Sequence, residues 1–136
     1  MSMILLDTSV IVAFRNIDDV NHERSMRIFE GLASGRYARG LVTEYVLAET
    51  VTVLKRKCSA ESAIKTGQAL LDSREIRVVP SGDLFAASWE EFVNQSKTKL
   101  SFVDASNLVA MRMYGTRRIA TFDQEYLKVK GVEVVG

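Results

Sequence analysis

The chain has one cysteine, one histidine and one proline among 136 residues, and each scarcity excludes something. The lone Cys58 rules out an intramolecular disulfide and fits a reducing compartment. One imidazole and one thiol are too few for the zinc sites that proteins build from several such ligands. Any bound metal must then be held by carboxylate oxygens, which select hard cations such as Mg²⁺ or Mn²⁺. His22, set in the polar run DDVNHERS, has no evident nucleophile partner, so a hydrolase triad is not expected.

Excess charge is also missing. Eighteen Lys and Arg against seventeen Asp and Glu leave a formal charge of +1, so polyanion binding must come from local patches. No run approaches the roughly 20 apolar residues that span a bilayer. The opening MSMILLD lacks a basic segment and breaks its apolar run at Asp7, so no signal peptide is expected. The expectation is a cytoplasmic protein with no membrane partner. Phosphate loops of the GxGxxG or GxxxxGKS type are absent, which removes the ordinary Rossmann and P-loop readings. There is no internal repeat, low-complexity tract or linker. With 47% hydrophobic residues, the length predicts a single domain over residues 1–136.

What is present alternates. Ile4-Leu5-Leu6 reads as a short buried strand ended by Asp7-Thr8-Ser9. A short helix through Val10 to Phe14 follows, then a helix with Met26, Ile28, Phe29 and Leu32, opened near Asp18 or Asp19 and closed near Gly35. Gly40-Leu41-Val42 predicts a second strand, with Thr43 capping a helix that runs to about Lys57. Ser59 caps another helix, ending near Ser73. Ile76 to Val79 is a third strand closed by Pro80. Two more helices follow, one with Leu84, Phe85, Trp89, Phe92 and Val93, the other opened by LSFVDASNL and ended at Gly115. Arg118 to Thr121 and Val132 to Val135 complete five strands. Strands alternating with helices predict an α/β domain, three layers with a central parallel sheet, because each parallel return needs a crossover.

In such sheets ligands bind outside the carboxyl ends of the strands. Asp7 directly follows the first strand, and Asp123 comes two residues after Thr121 at the end of the fourth. Asp104 opens the helix that leads into the fourth strand, and a helix returning over a parallel sheet starts at that same edge. Ser101 with Asp104 also matches a capping box, so a purely structural role stays open for this acid. Glu49 lies about 9 Å along its helix from Thr43 at ~1.5 Å per residue, where a boundary glutamate paired with a base is the competing reading. Glu125 is held in reserve. Carboxylates gathered on one rim repel unless a cation neutralises them, which points to metal-assisted phosphodiester hydrolysis.

Taken in order, Asp7 in LLDTSV, Glu49 in VLAETV, Asp104 in LSFVDAS and Asp123 in ATFDQEY resemble the four acidic motifs of the PIN-domain ribonucleases, particularly the VapC-type toxins of toxin–antitoxin modules. The resemblance covers essentially the whole chain. It implies a five-stranded parallel sheet flanked by helices, a Mg²⁺- or Mn²⁺-dependent endoribonuclease, a homodimer and a cognate antitoxin partner. It also implies that Asp7, Glu49, Asp104 and Asp123 bind metal and act in catalysis, with Thr8, Ser9 and Thr121 orienting them. RNA phosphates are expected to meet Lys97 and Lys99 or Arg117 and Arg118, whereas Lys55-Arg56-Lys57 reads as a base cluster complementing its helix dipole. Phe14 and Tyr45 are the aromatic candidates for base stacking.

Four rival readings fit the residues less well. A HAD-type phosphotransferase needs a second Asp where Ser9 stands, and a receiver domain needs a phosphoacceptor Asp after the third strand, where Val79-Pro80-Ser81 offers none. A binding module of the same fold without catalysis is disfavoured by the complete set of four acids. A structure-specific DNA nuclease of the flap type would carry more acids and extra segments.

Overall fold

The computed structural model describes residues 2–136. Five strands, β1 (Ile4–Leu6), β2 (Gly40–Thr43), β3 (Ile76–Val79), β4 (Arg118–Ala120) and β5 (Glu133–Val135), form one sheet in the order β3-β2-β1-β4-β5. All four pairings are parallel. Six helices connect them: α1 (Thr8–Arg15), α2 (His22–Ala33), α3 (Glu44–Lys57), α4 (Ala60–Asp72), α5 (Phe85–Asn94) and α6 (Phe102–Met113). The expected three-layer α/β architecture is what forms.

Alternation along β1 explains the layers. Ile4 and Leu6 point into a core with Val10 and Ile11 of α1, Ile28 and Leu32 of α2, Val46 of α3 and Leu70 of α4. Leu5 points the other way, into a core with Leu84, Leu100 and the Leu108 to Met111 run of α6. A period-two strand buried on both faces must read as continuously apolar, and ILL does.

Local signals set most boundaries. The Thr43 hydroxyl accepts the Val46 amide at 3.0 Å and opens α3, and Ser59 accepts the Ser62 amide at 3.0 Å and opens α4. Gly115, at φ 69°, turns the chain after α6 in a conformation that side chains resist. Two details differ from the sequence reading. Helix α2 starts at His22 rather than beside Asp18 or Asp19, because Asp19 instead accepts the Asn21 amide at 2.8 Å in a turn of its own. Asp123 caps a 3-10 helix, Gln124–Lys128, that went unread. No helix among the described residues is long and apolar enough to cross a membrane.

The strand order has a consequence for function. The chain builds outward from β1 through β2 to β3, then returns to β4 on the other side of β1. The order therefore reverses between β1 and β4, and in open α/β sheets the crevice outside the carboxyl ends at that reversal is where ligands bind.

Candidate active site at the carboxyl edge of the sheet

Asp7 stands at this reversal, one residue beyond β1, and is the N-cap of α1. Its Oδ1 accepts the Thr8 amide at 2.9 Å and the Asn107 Nδ2 at 3.2 Å, and its Oδ2 accepts the Thr121 hydroxyl at 2.7 Å. The side chain is almost wholly buried, at 5% exposure. Burial is the main cause that pushes its pKa up to about 6; the charges of Asp104 and Glu49 add to the rise, and the Thr121 and Thr8 hydrogen bonds oppose it.

Asp104 serves two ends at once. Its Oδ2 accepts the Ser101 amide at 2.8 Å while Ser101 Oγ accepts the Asp104 amide at 3.1 Å, so the capping box is real. Its Oδ1 accepts the hydroxyl of Tyr126 at 3.0 Å. Asn107, one turn further along α6, donates to both Asp7 and the Tyr126 oxygen, the latter at 3.1 Å. A buried chain of contacts thus ties Asp7 to Asp104 through Asn107 and Tyr126. Burial first, then the charges of Asp7 and Asp104, raise the Tyr126 pKa, so this phenol stays a hydrogen-bond donor.

Asp7, Glu49, Asp104 and Asp123 line one open cleft of 340 Å³ together with Thr8 and Ser9. Glu49 reaches it as an exposed side chain of α3 and has no basic partner within ion-pair distance among the described residues, so the boundary-pair reading does not hold. Asp123 accepts the Glu125 amide at 3.0 Å, and its own amide donates to Thr121 Oγ1 at 3.0 Å. Thr121 is therefore the hinge between two of the acids. Ser9 accepts the Phe122 amide at 3.1 Å and steadies the same turn.

Other expectations land elsewhere. Arg117 and Arg118 lie at the amino end of β4, the opposite edge of the sheet, and Arg118 pairs with Glu133 at 3.4 Å. Lys97 and Lys99 sit in the exposed joint before α6, outside the cleft lining. Glu125 pairs with Lys128 at 2.8 Å, which is the leading reason its pKa falls, and it accepts the Lys99 amide at 2.9 Å. Phe14 stacks on Phe29 and Tyr45 meets Phe102 edge-on, so neither ring faces the cleft. His22 hydrogen-bonds the Ala13 carbonyl at 2.8 Å through Nδ1.

Sequence reasoning missed Asn107, Tyr126 and Lys57. Lys57 follows Glu49 by eight residues, two turns along the same face of α3, and lines the cleft rather than only ending the helix. Asn107 follows Asp104 by one turn and is a buried amide in an apolar helix, which was the available signal.

The site suits a hard cation by its donors. Besides the four expected acids, Asp19 is a fifth carboxylate in the lining, against the single ammonium of Lys57, and the buried Thr8 Oγ1 beside Asp7 has no hydrogen-bond partner among the described residues. No three acidic, His or Cys side chains among the described residues are already drawn together as a metal cage.

Comparison with known proteins agrees with this arrangement. The PIN domain family model matches residues 4–132. The 23S rRNA-specific endonuclease VapC20 of Mycobacterium tuberculosis is 31% identical over 133 residues, covering 97% of this chain and 98% of that protein. The crystal structure of the same toxin, described as sarcin-ricin loop cleaving, superposes with a TM-score of 0.84 at 29% identity over 98% of this chain and 99% of the other. VapBC2 from Rickettsia felis shares the fold at a TM-score of 0.67 and 14% identity, over 97% of this chain and 96% of that one. The chain belongs to the PIN-domain family and is a ribonuclease toxin of the VapC type.

Proposed function

We propose that the cleft hydrolyses RNA phosphodiester bonds with Mg²⁺ or Mn²⁺ held by Asp7, Asp104, Asp123 and Glu49, the chain acting as a single cytoplasmic domain over residues 1–136. The observation that carries this is the convergence of four carboxylates, without a basic partner within ion-pair distance, at the switch point of a parallel sheet. A divalent cation there supplies positive charge to the phosphoryl oxygens and makes water a better nucleophile. The chain's own residues do the rest. Asn107 and Tyr126 hold Asp7 and Asp104 in register, Thr121 fixes Asp7 against Asp123, and Lys57 offers an ammonium to a phosphate neighbouring the scissile one.

The large ribosomal RNA is the first substrate to try, because the full-length relative acts on 23S rRNA. A cognate antitoxin and a second copy of the chain complete the proposed partners. Exposed Phe85, Trp89 and Val93 on α5, and Ile64 and Leu71 on α4, are apolar surface that such partners would cover.

The test is cleavage of purified ribosomal RNA with Mn²⁺, with Mg²⁺ and with a chelator. Defined fragments in the presence of either metal, lost on chelation and in Asp104→Asn, support the proposal. Cleavage that survives both treatments would remove the metal and the acids from the mechanism.

A further inference from the structure

A second cleft lies between α2 and the edge strand β5, and its chemistry is the inverse of the first. Arg24, Arg27 and Arg36 line it, with Tyr37, Val135 and the last residue, Gly136, and no acidic side chain does. At 190 Å³ it is small beside the roughly 300–1,000 Å³ pockets of drug-sized ligands. None of the three arginines lies within 4 Å of a carboxylate among the described residues. In a chain whose formal charge is +1, three guanidinium groups in one cleft, none of them in an ion pair among the described residues, are a local feature rather than general basicity.

The cleft is built rather than accidental. Arg24, Arg27 and Gly31 follow one another at three- and four-residue spacing and share one face of α2. Gly35, at φ 83°, turns the chain back after the helix. Arg36 and Tyr37 then fold against Gly31, where an added Cβ would meet Tyr37 Cε2 at 3.0 Å and Arg36 Nη1 at 3.4 Å. The glycine leaves room for the Tyr37 ring against the helix, with Arg36 beside it.

The two clefts share a wall. The Arg24 guanidinium sits 4.9 Å from the ring centroid of Phe122, and Phe122 lines the acidic cleft. Arg24 also donates to Asn21 Oδ1 at 3.1 Å, and Asn21 lines the acidic cleft too. A polynucleotide with its scissile phosphate among the four acids would reach the arginines by continuing past Phe122.

We propose that the Arg24–Arg27–Arg36 cleft binds backbone phosphates of the RNA substrate to one side of the cleavage point, an inference that rests on the ribonuclease reading above. Guanidinium groups suit this task, because their planar donors match phosphate oxygens in pairs. The contact reads charge and not sequence, so it contributes affinity and register on the backbone rather than choice of base.

The experiment compares wild type, the double variant Arg27→Ala/Arg36→Ala and, as a distant control, Lys65→Ala. A short fluorescein-labelled single-stranded RNA is bound without divalent cations across a range of KCl, and melting is recorded for each protein. The double variant should bind several-fold more weakly, with the slope of log affinity against log salt reduced by about 1.4, from ~0.7 per phosphate contact on single strands. Its melting temperature and its kcat on saturating RNA should match wild type, while KM rises. A slope and affinity equal to those of Lys65→Ala, with wild type still cleaving RNA, would overturn the arginine cleft and leave the ribonuclease reading standing. Failure of wild type to bind or cleave any RNA would overturn both. Unchanged RNA binding with lost affinity for poly-glutamate would hand the cleft to an acidic protein segment and also overturn the proposal.

Discussion

The two edges of the same sheet are built on opposite electrostatic terms. At the amino edge two ion pairs stand: Arg118 of β4 pairs with Glu133 of β5, and Arg112 at the end of α6 pairs with Glu91 of α5. The Thr116 hydroxyl there donates to the Met3 carbonyl. At the carboxyl edge, four carboxylates face one cleft with no basic partner within 4 Å among the described residues. One edge carries ion pairs, whereas the other gathers carboxylates without one, a cost that a bound cation or a proton relieves. Proteins retain that kind of cost where function requires it.

The largest break in this contrast is Asp7→Asn. Cleavage should fall by more than the ~100-fold typical of a residue that merely supports a metal ligand, while the fold persists; an RNA cleavage assay with matched circular dichroism checks both. Next is Tyr126→Phe, which removes the donor to Asp104 and one partner of Asn107 inside the core. It should lower metal affinity or activity by ~10- to 100-fold and stability by about 1–2 kcal/mol, read by metal titration and denaturant melts.

The pH dependence sharpens the comparison further. Asp7 titrates near 3.8 in the unfolded chain and about 6 in the folded one. The folded state therefore binds the extra proton between those values, and the metal-free protein loses stability as pH rises through them. The full loss, roughly 3 kcal/mol at ~1.4 kcal/mol per pKa unit, is reached above pH 6. The difference in stability between wild type and Asp7→Asn, measured without metal at successive pH values, should trace that curve. At the amino edge the expected effect is the smallest: Arg118→Ala should change stability by less than ~1 kcal/mol, as for other exposed pairs, and leave cleavage alone. Lys57→Ala falls between, raising KM for RNA several-fold with melting unchanged.

The fold was legible because local signals and global pattern agree. Thr43, Ser59 and Ser101 cap their helices with the hydrogen bonds their side chains predict, and the runs Ile4-Leu5-Leu6 and Ile76 to Val79 form the strands expected. The four acids were legible by order, and Glu49 only through the family resemblance, since spacing along a helix does not say what faces it across a cleft. The strand order was not legible, because a parallel strand carries no mark of its neighbour. Arg117 and Arg118, candidates for RNA phosphates, lie at the other edge for a different reason: they open the strand whose carboxyl end Thr121 and Asp123 follow. Lys57 complements its helix dipole and also lines the cleft, and Tyr126 carries a polar tip to Asp104 from a ring that is otherwise core.

The most direct measurement is thermal melting at pH 7.5 of wild type and Asp7→Asn, each with and without Mn²⁺. A ligand that binds only the folded state must stabilise it. The account predicts that Mn²⁺ raises the wild-type melting temperature, and that Asp7→Asn melts higher than wild type without metal and does not respond to Mn²⁺. A wild type indifferent to Mn²⁺, or a variant that gains as much from it, would contradict the claim that the carboxyl edge is built for a cation.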